Sequence, residues 1–261
     1  MNRGDVLNNS ALRTLYIFEY IAKSEKPLGI SEISRDLDIP KSSVFDIIYA
    51  LNERNFVEID NPDSKTFKIG LKAYQIGASY INKASIYKVA HPVLEQIKND
   101  FGETVYLAVE DEGSVVYLDK VESDSPIRFT CNIGSRNLMH ITGIGKAMLA
   151  GYDDETVYRI TKDKFIARTM NSIMNYNDLI KHLAEIRKQG YAIDSGEDID
   201  IVRCIAAPIR DSSNKVIAAI SVSMVDSHFI DERLKTISRS IINAALEISH
   251  KMGYLMDKLY I

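Results

Sequence analysis

Two groups of residues in this chain have types and spacing that could do chemistry. The first opens a helical stretch after the break Asp38-Ile39-Pro40: Lys41, Ser42 and Ser43, then Phe45 and Asp46. On the outward side of a helix start such side chains reach base edges in a DNA major groove, where Asp46 would repel phosphate yet accept from a cytosine amino group. Lys65, Lys68 and Lys72, beyond a turn, could meet phosphates. The second group lies far along the chain. Gly143-Ile144-Gly145-Lys146 follows His140-Ile141-Thr142 as a glycine-rich helix start, whose free N–H groups and partial positive charge suit an anion. It is no nucleotide loop, because Ala147 follows Gly145-Lys146 where that motif needs Ser or Thr. Asp194, Cys204, Ser221 and Ser223 are polar groups in or beside apolar runs; the two serines share one strand face with Ala219.

Hydroxyls and a thiol facing one cavity would hydrogen-bond a small polar ligand. The alternatives are a helix end packed closely on a sheet, serines satisfied locally and a cysteine acting as a small hydrophobe. Cys204 with His140 would also supply a nucleophile and a base, but no third orienting residue is evident. His91, His182, His228 and His250 are scattered with no paired spacing, so no metal or other cofactor is expected. His91, before Pro92, reads as a helix-start residue.

These groups need elements to hold them. A capping-type pair, Asn9-Ser10, opens a helix with Leu12, Leu15, Phe18, Ile21 and Ala22 on one stripe. Ser31 caps a second, short helix carrying Ile33 and Leu37, and the third presents Val44, Ile47, Ile48 and Leu51 inward. Residues 56–60 and 66–70 read as strands around the turn Asn61-Pro62-Asp63-Ser64. Helix, tight turn and helix followed by a hairpin is the spacing of a winged helix-turn-helix. The same shape would also serve a protein-docking or dimerisation module that binds no DNA.

From Leu71 to about Phe101 the pattern is helical, with weak points at Gly77 and His91-Pro92 and a domain boundary near residues 79–85. A hairpin follows over 103–111 and 114–122, then a third strand around IRFTCNIG (residues 127–134). Helices are expected over 143–150, 153–161 and 176–188. VRCIAAPI and KVIAAISVSMV form a central antiparallel hairpin, and a closing helix from Asp231 carries Leu234, Ile237, Ile241, Ile242, Leu246 and Ile248. The fold class is α+β, one antiparallel sheet with helices packed on it.

Composition narrows the classes. The chain has 32 basic and 36 acidic side chains, a net charge of −4, which excludes holding nucleic acid by bulk positive charge. Two cysteines are too few for a disulfide framework or a thiolate zinc cluster. No apolar run approaches a membrane span and no signal-peptide pattern stands at the N-terminus, so a cytoplasmic protein without membrane contact is expected.

The order of helix-turn-helix, DIPKSSVFDIIYALNERNFVEID, FKIGLKAYQIG, HITGIGKAMLAG and GYAIDSGEDIDIVRCIAAPIRDSSNKVIAAISVSM resembles the IclR-type transcriptional regulators from about Ser10 to Ile248. The resemblance implies a winged helix-turn-helix DNA-binding domain over 1–72, a linker helix over 73–85, and a GAF-like effector-binding domain over 86–261. It implies a homodimer or dimer of dimers on double-stranded operator DNA, acting as repressor and controlled by a small-molecule effector such as an organic acid. It also implies that Gly143, Ile144, Asp194, Cys204, Ser221 and Ser223 line the effector pocket, with Phe129 opposite. The chain departs from the family pattern at Phe45-Asp46, where a basic residue often takes the second place, and at Thr66, where Arg is common.

Overall fold

Helix α1 (Asn9–Lys23) begins where the Asn8 side chain accepts from the backbone N–H of Ser10 and Ala11 at 2.9 and 3.2 Å, one residue before the expected cap. Its buried stripe is Ile17 and Ile21, the pair one turn apart that faces the rest of the N-terminal core, while Leu15 and Ala22 turn to solvent. The expected stripe was therefore rotated. Strand β1 (Leu28–Gly29) leads into α2 (Ile30–Asp36), which starts one residue before Ser31 on an uncapped Gly29. Asp38 takes a left-handed conformation, φ 51°, and the Ser34 hydroxyl donates to the Ile39 carbonyl at 2.7 Å, closing the turn before α3 (Lys41–Glu53). Ile33, Ile39, Val44 and Ile48 are buried between these helices.

Strands β2 (Val57–Asn61) and β3 (Thr66–Ile69) form the expected antiparallel hairpin, and β1 adds to its free side in the order β1-β3-β2. Helix α4 (Leu71–Lys83) follows. The model, a computed structural model, describes residues 8–63, 65–83 and 85–260. The expected hairpin turn includes residue 64 and the expected boundary includes residue 84, both outside the described residues. The chain divides into two compact units, residues 1–83 and 84–261.

The second unit runs α5 (Ser85–Phe101), β4 (Thr104–Asp111), β5 (Ser114–Val121), β6 (Arg136–Leu138), α6 (Gly143–Leu149), α7 (Asp154–Thr161), α8 (Tyr176–Gln189), β7 (Ala192–Ser195), β8 (Val202–Arg210), β9 (Val216–Val225) and α9 (Asp231–Lys251). Its six strands make one antiparallel sheet, β6-β5-β4-β9-β8-β7. The α+β architecture is as expected, with three local differences. Residues 127–134 are not a strand but part of a loop: the Tyr106 hydroxyl holds Phe129 and Cys131, and the segment reaches β5 at its end, where the Gly134 N–H donates to the Tyr117 carbonyl at 2.7 Å. Strand β7 was not foreseen. His91-Pro92 lies inside α5 instead of starting a helix; burial of Ala90, Val93, Leu94 and Ile97 on both sides of the proline outweighs the lost backbone donor. Among the described residues, no helix is long and apolar enough to cross a membrane.

Candidate functional site

The expected DNA-reading residues are placed by α3 and the hairpin. Lys41, Ser42, Phe45 and Asp46 are exposed along the start of α3, and together with Lys65 from the hairpin they line a surface groove floored by Gly29, Ile30 and Ser31. Ser43 is half-buried and does not line it. Lys68 is engaged with Asp60 at 2.9 Å, and Lys72 sits instead in a depression with Glu53 and Glu58. Phe45 is 46% exposed, an unusual state for a ring. It is braced by Tyr49 at 4.4 Å between centroids, and Tyr49 in turn stands edge-on to Phe67 of β3. Pro40 at the N-cap of α3 offers no side-chain cap, which leaves the first N–H groups of the helix open to an anion.

In the second unit the strand register builds a polar row. Asp194 of β7 pairs with Cys204 of β8, Cys204 with Ser223 of β9, and Ser223 with Thr104 of β4, so these side chains share one face of the sheet. Ser221, two residues from Ser223, shares it; Ile205, Ile220 and Val222 point the other way into the core. The polar face would be a costly surface to bury under an apolar layer. It is covered instead by the start of α6 and by two loops, leaving a narrow pocket. Phe129, Gly143, Ile144, Asp194, Cys204, Ser221 and Ser223 all line this space.

Each wall has a local cause. Thr142 caps α6 by accepting from the Gly145 N–H at 3.2 Å and donates to the Leu138 carbonyl at 2.9 Å. A Cβ on Gly143 would come within 3.2 Å of the Cys204 Cβ, so glycine lets the helix start reach the strands. Opposite, the Tyr106 hydroxyl donates to the Phe129 carbonyl and accepts from the Cys131 N–H, at 3.3 and 3.2 Å, holding the loop that carries Phe129. Gly145 has no spare room, since a Cβ there would stand 2.5 Å from the Met139 Cα and against the Met139 carbonyl oxygen. Gly145→Ala should therefore lower the melting temperature by several degrees, a cost of about 1–3 kcal/mol; an unchanged thermal melt would contradict this packing.

Sequence reasoning missed Tyr117, Thr142, Asp198, Ile199 and Val202, which also line the pocket. Thr142 was visible as the cap of a glycine-rich helix start. Asp198 and Ile199 come from the loop after β7, whose path no periodicity reveals, and Val202 opens β8 where that loop ends.

The electrostatics are those of a dry site. Burial pushes the Asp194 carboxyl up to about 7, although its Oδ1 accepts from the Glu197 backbone N–H at 2.7 Å. Burial also pushes the Cys204 thiol well up, with its sulfur 3.2 Å from the Ser223 hydroxyl. A thiol held protonated is a poor nucleophile. His140 does not line the pocket; its ring stands edge-on to Phe165, and burial lowers its pKa. The Ser221 hydroxyl makes no hydrogen bond to the described residues, so it is not a serine satisfied locally.

Beneath the helix start lies a buried charge cluster that sequence reading did not find. Lys146 is 0% exposed and pairs with the Glu197 carboxylate, while its ammonium lies 3.2 Å from the His182 Nε2. His182 is pushed down to about 4, first by burial and then by Lys146, so at neutral pH it accepts from the ammonium. Burial raises the Glu197 carboxyl against the pull of Lys146.

Comparison with known proteins agrees with this layout. The model of the IclR helix-turn-helix domain matches residues 10–61, and that of the bacterial transcriptional regulator IclR C-terminal region matches residues 78–250. The chain is 30% identical to the HTH-type transcriptional regulator KdgR of Escherichia coli over 94% of its length and 93% of that protein. It is 30% identical to the repressor AllR of Escherichia coli over 92% of its length and 89% of that protein. The crystal structure of Thermotoga maritima IclR superposes with a TM-score of 0.79 at 30% identity, covering 94% of this chain and 99% of that one. With a winged helix-turn-helix in its first unit and a pocketed antiparallel sheet in its second, this chain belongs to the IclR family of bacterial transcriptional regulators.

Proposed function

We propose that this regulator binds operator DNA as a homodimer or dimer of dimers in the cytoplasm, represses transcription, and changes its DNA affinity when a small effector occupies the pocket of the second unit. In this reading residues 1–72 bind DNA, 73–85 form the linker helix, and 86–261 bind the effector. The observation that carries it is the pocket: a sheet face bearing Asp194, Cys204, Ser221 and Ser223, with the Ser221 hydroxyl left without a protein partner. A hydroxyl open to the pocket can donate to or accept from a ligand.

Lys41, Ser42, Phe45 and Asp46 then read the major groove, with Lys65 on the backbone. Lys68 is a weaker phosphate contact because Asp60 competes for it. An exposed ring at the start of a reading helix suits the methyl group of thymine. Residues 1–75 carry ten basic and eleven acidic side chains, so phosphate contacts are few and two half-sites must act together.

The test is a mobility shift with DNA from upstream of the protein's own gene. Wild type should retain a specific fragment against competitor DNA, and Phe45→Ala should bind it about tenfold more weakly while melting as wild type does. Equal affinity for the two proteins removes Phe45 from the reading face; failure of wild type to shift any fragment at low salt defeats the reading.

A further inference from the structure

The pocket is electrostatically one-sided. Asp194 is 2% exposed, and while its Oδ1 takes the Glu197 N–H, its Oδ2 accepts no hydrogen bond from the described residues. Asp198 also lines the pocket, and its Oδ2 is held by the Asn137 side-chain amide at 2.7 Å, which fixes the carboxylate from strand β6. Among the described residues, no Lys, Arg or His lines the pocket. The nearest buried ammonium, Lys146, is occupied by Glu197 and His182.

A ligand hydroxyl meeting these carboxylates makes a charge-assisted hydrogen bond. A ligand carboxylate meeting Asp198 is repelled in a partly desolvated site whose nearby buried ammonium, Lys146, is already paired with Glu197, and Asp194 adds to the repulsion once it is ionised. The Ser221 and Ser223 hydroxyls, able to donate, stand elsewhere on the lining and can take a single carboxylate.

We infer that Asp198 is a specificity-determining residue of the pocket: together with Asp194 it selects a small effector that donates hydroxyl hydrogens at this end and rejects one that presents a second carboxylate there. The inference rests on the effector reading above. It goes further by naming the ligand class, hydroxylated monoacids over their dicarboxylate counterparts, and the residue that discriminates.

The experiment uses pairs that differ only by a terminal CH₂OH or COO⁻: glycerate and tartronate, threonate and tartrate, gluconate and glucarate. Thermal shift followed by calorimetric titration is run on the full chain, in wild type, Asp198→Asn and Asp198→Ser. Asn keeps the shape of the side chain, and Ser guards against a folding artefact of either variant. At least one monoacid should bind wild type, with its dicarboxylate at least tenfold weaker. In both variants that ratio should fall at least fivefold because the dicarboxylate gains. A dicarboxylate that binds wild type as tightly as its partner, or a ratio unchanged in the variants, overturns the inference and leaves the effector reading standing. Silence of all six compounds in all three proteins overturns the effector reading, and the inference with it.

Discussion

Asp194→Asn unfolds at a higher temperature than wild type above pH 7, and the two proteins converge as the pH falls toward 4. The native carboxyl is raised from 3.8 to about 7, chiefly by burial. Below about pH 4 both native and unfolded states hold the proton and the shift costs nothing. Between about 4 and 7 the unfolded carboxyl ionises while the native one does not, so stability falls by up to about 1.4 kcal/mol per pH unit. Above 7 both are ionised and the full penalty of about 4 kcal/mol is in place. The amide keeps the bond from the Glu197 N–H and carries no charge. Its own burial takes back part of the gain, leaving about 2–3 kcal/mol. His182, lowered to about 4, has the opposite slope over the acid range, losing stability as pH falls through 6.5 to 4, but it is common to both proteins and cancels in their difference. Melting curves from pH 4 to 8.5 give the answer; a gap that does not change with pH would mean that Asp194 is not a desolvated carboxylate.

Removing the Lys146 ammonium has the largest expected effect. Lys146→Met strips the buried Glu197 carboxylate of its partner, and its Oε2 already has no hydrogen bond among the described residues. Breaking a buried pair from one side costs about 3–5 kcal/mol, whereas replacing both members with apolar side chains of similar volume is often neutral. Lys146→Met should thus lower the urea midpoint of the second unit strongly, and adding Glu197→Leu should restore most of the loss. Lys146 sits on α6 beside the lining residues Gly143 and Ile144, and Glu197 beside Asp198. The double variant, stable again, should still bind ligand less tightly, because the pair ties two pocket walls together. Additive losses in the double variant would show that the two side chains are not coupled.

The helix-turn-helix was readable because its inward positions, Ile33, Val44 and Ile48, follow helical spacing and its turns are marked by Asp38 and Pro40. Strands β8 and β9 were readable as long apolar runs that only a sheet interior accepts. The loop carrying Phe129 was misread because its alternation imitates a strand, while the true strand β6 is three residues long with no apolar pattern. The serines and Cys204 could be picked out as polar groups in apolar strands, yet their gathering into one row depends on register, which β7 completes with Asp194. Lys146 gave no warning. Lysine is rarely fully buried without a partner, and its partner is 51 residues away in sequence.

Coupling between the DNA and effector sites is measurable from both ends, because linkage makes it reciprocal. Operator affinity is titrated with and without a compound that stabilises the chain in the thermal screen, and the affinity of that compound is titrated with and without operator. Each affinity should change at least about fivefold, by the same factor in the two directions, and the change should vanish when the pocket is filled by Ser221→Leu. Operator affinity that is the same with and without a compound bound in the pocket would contradict this coupling.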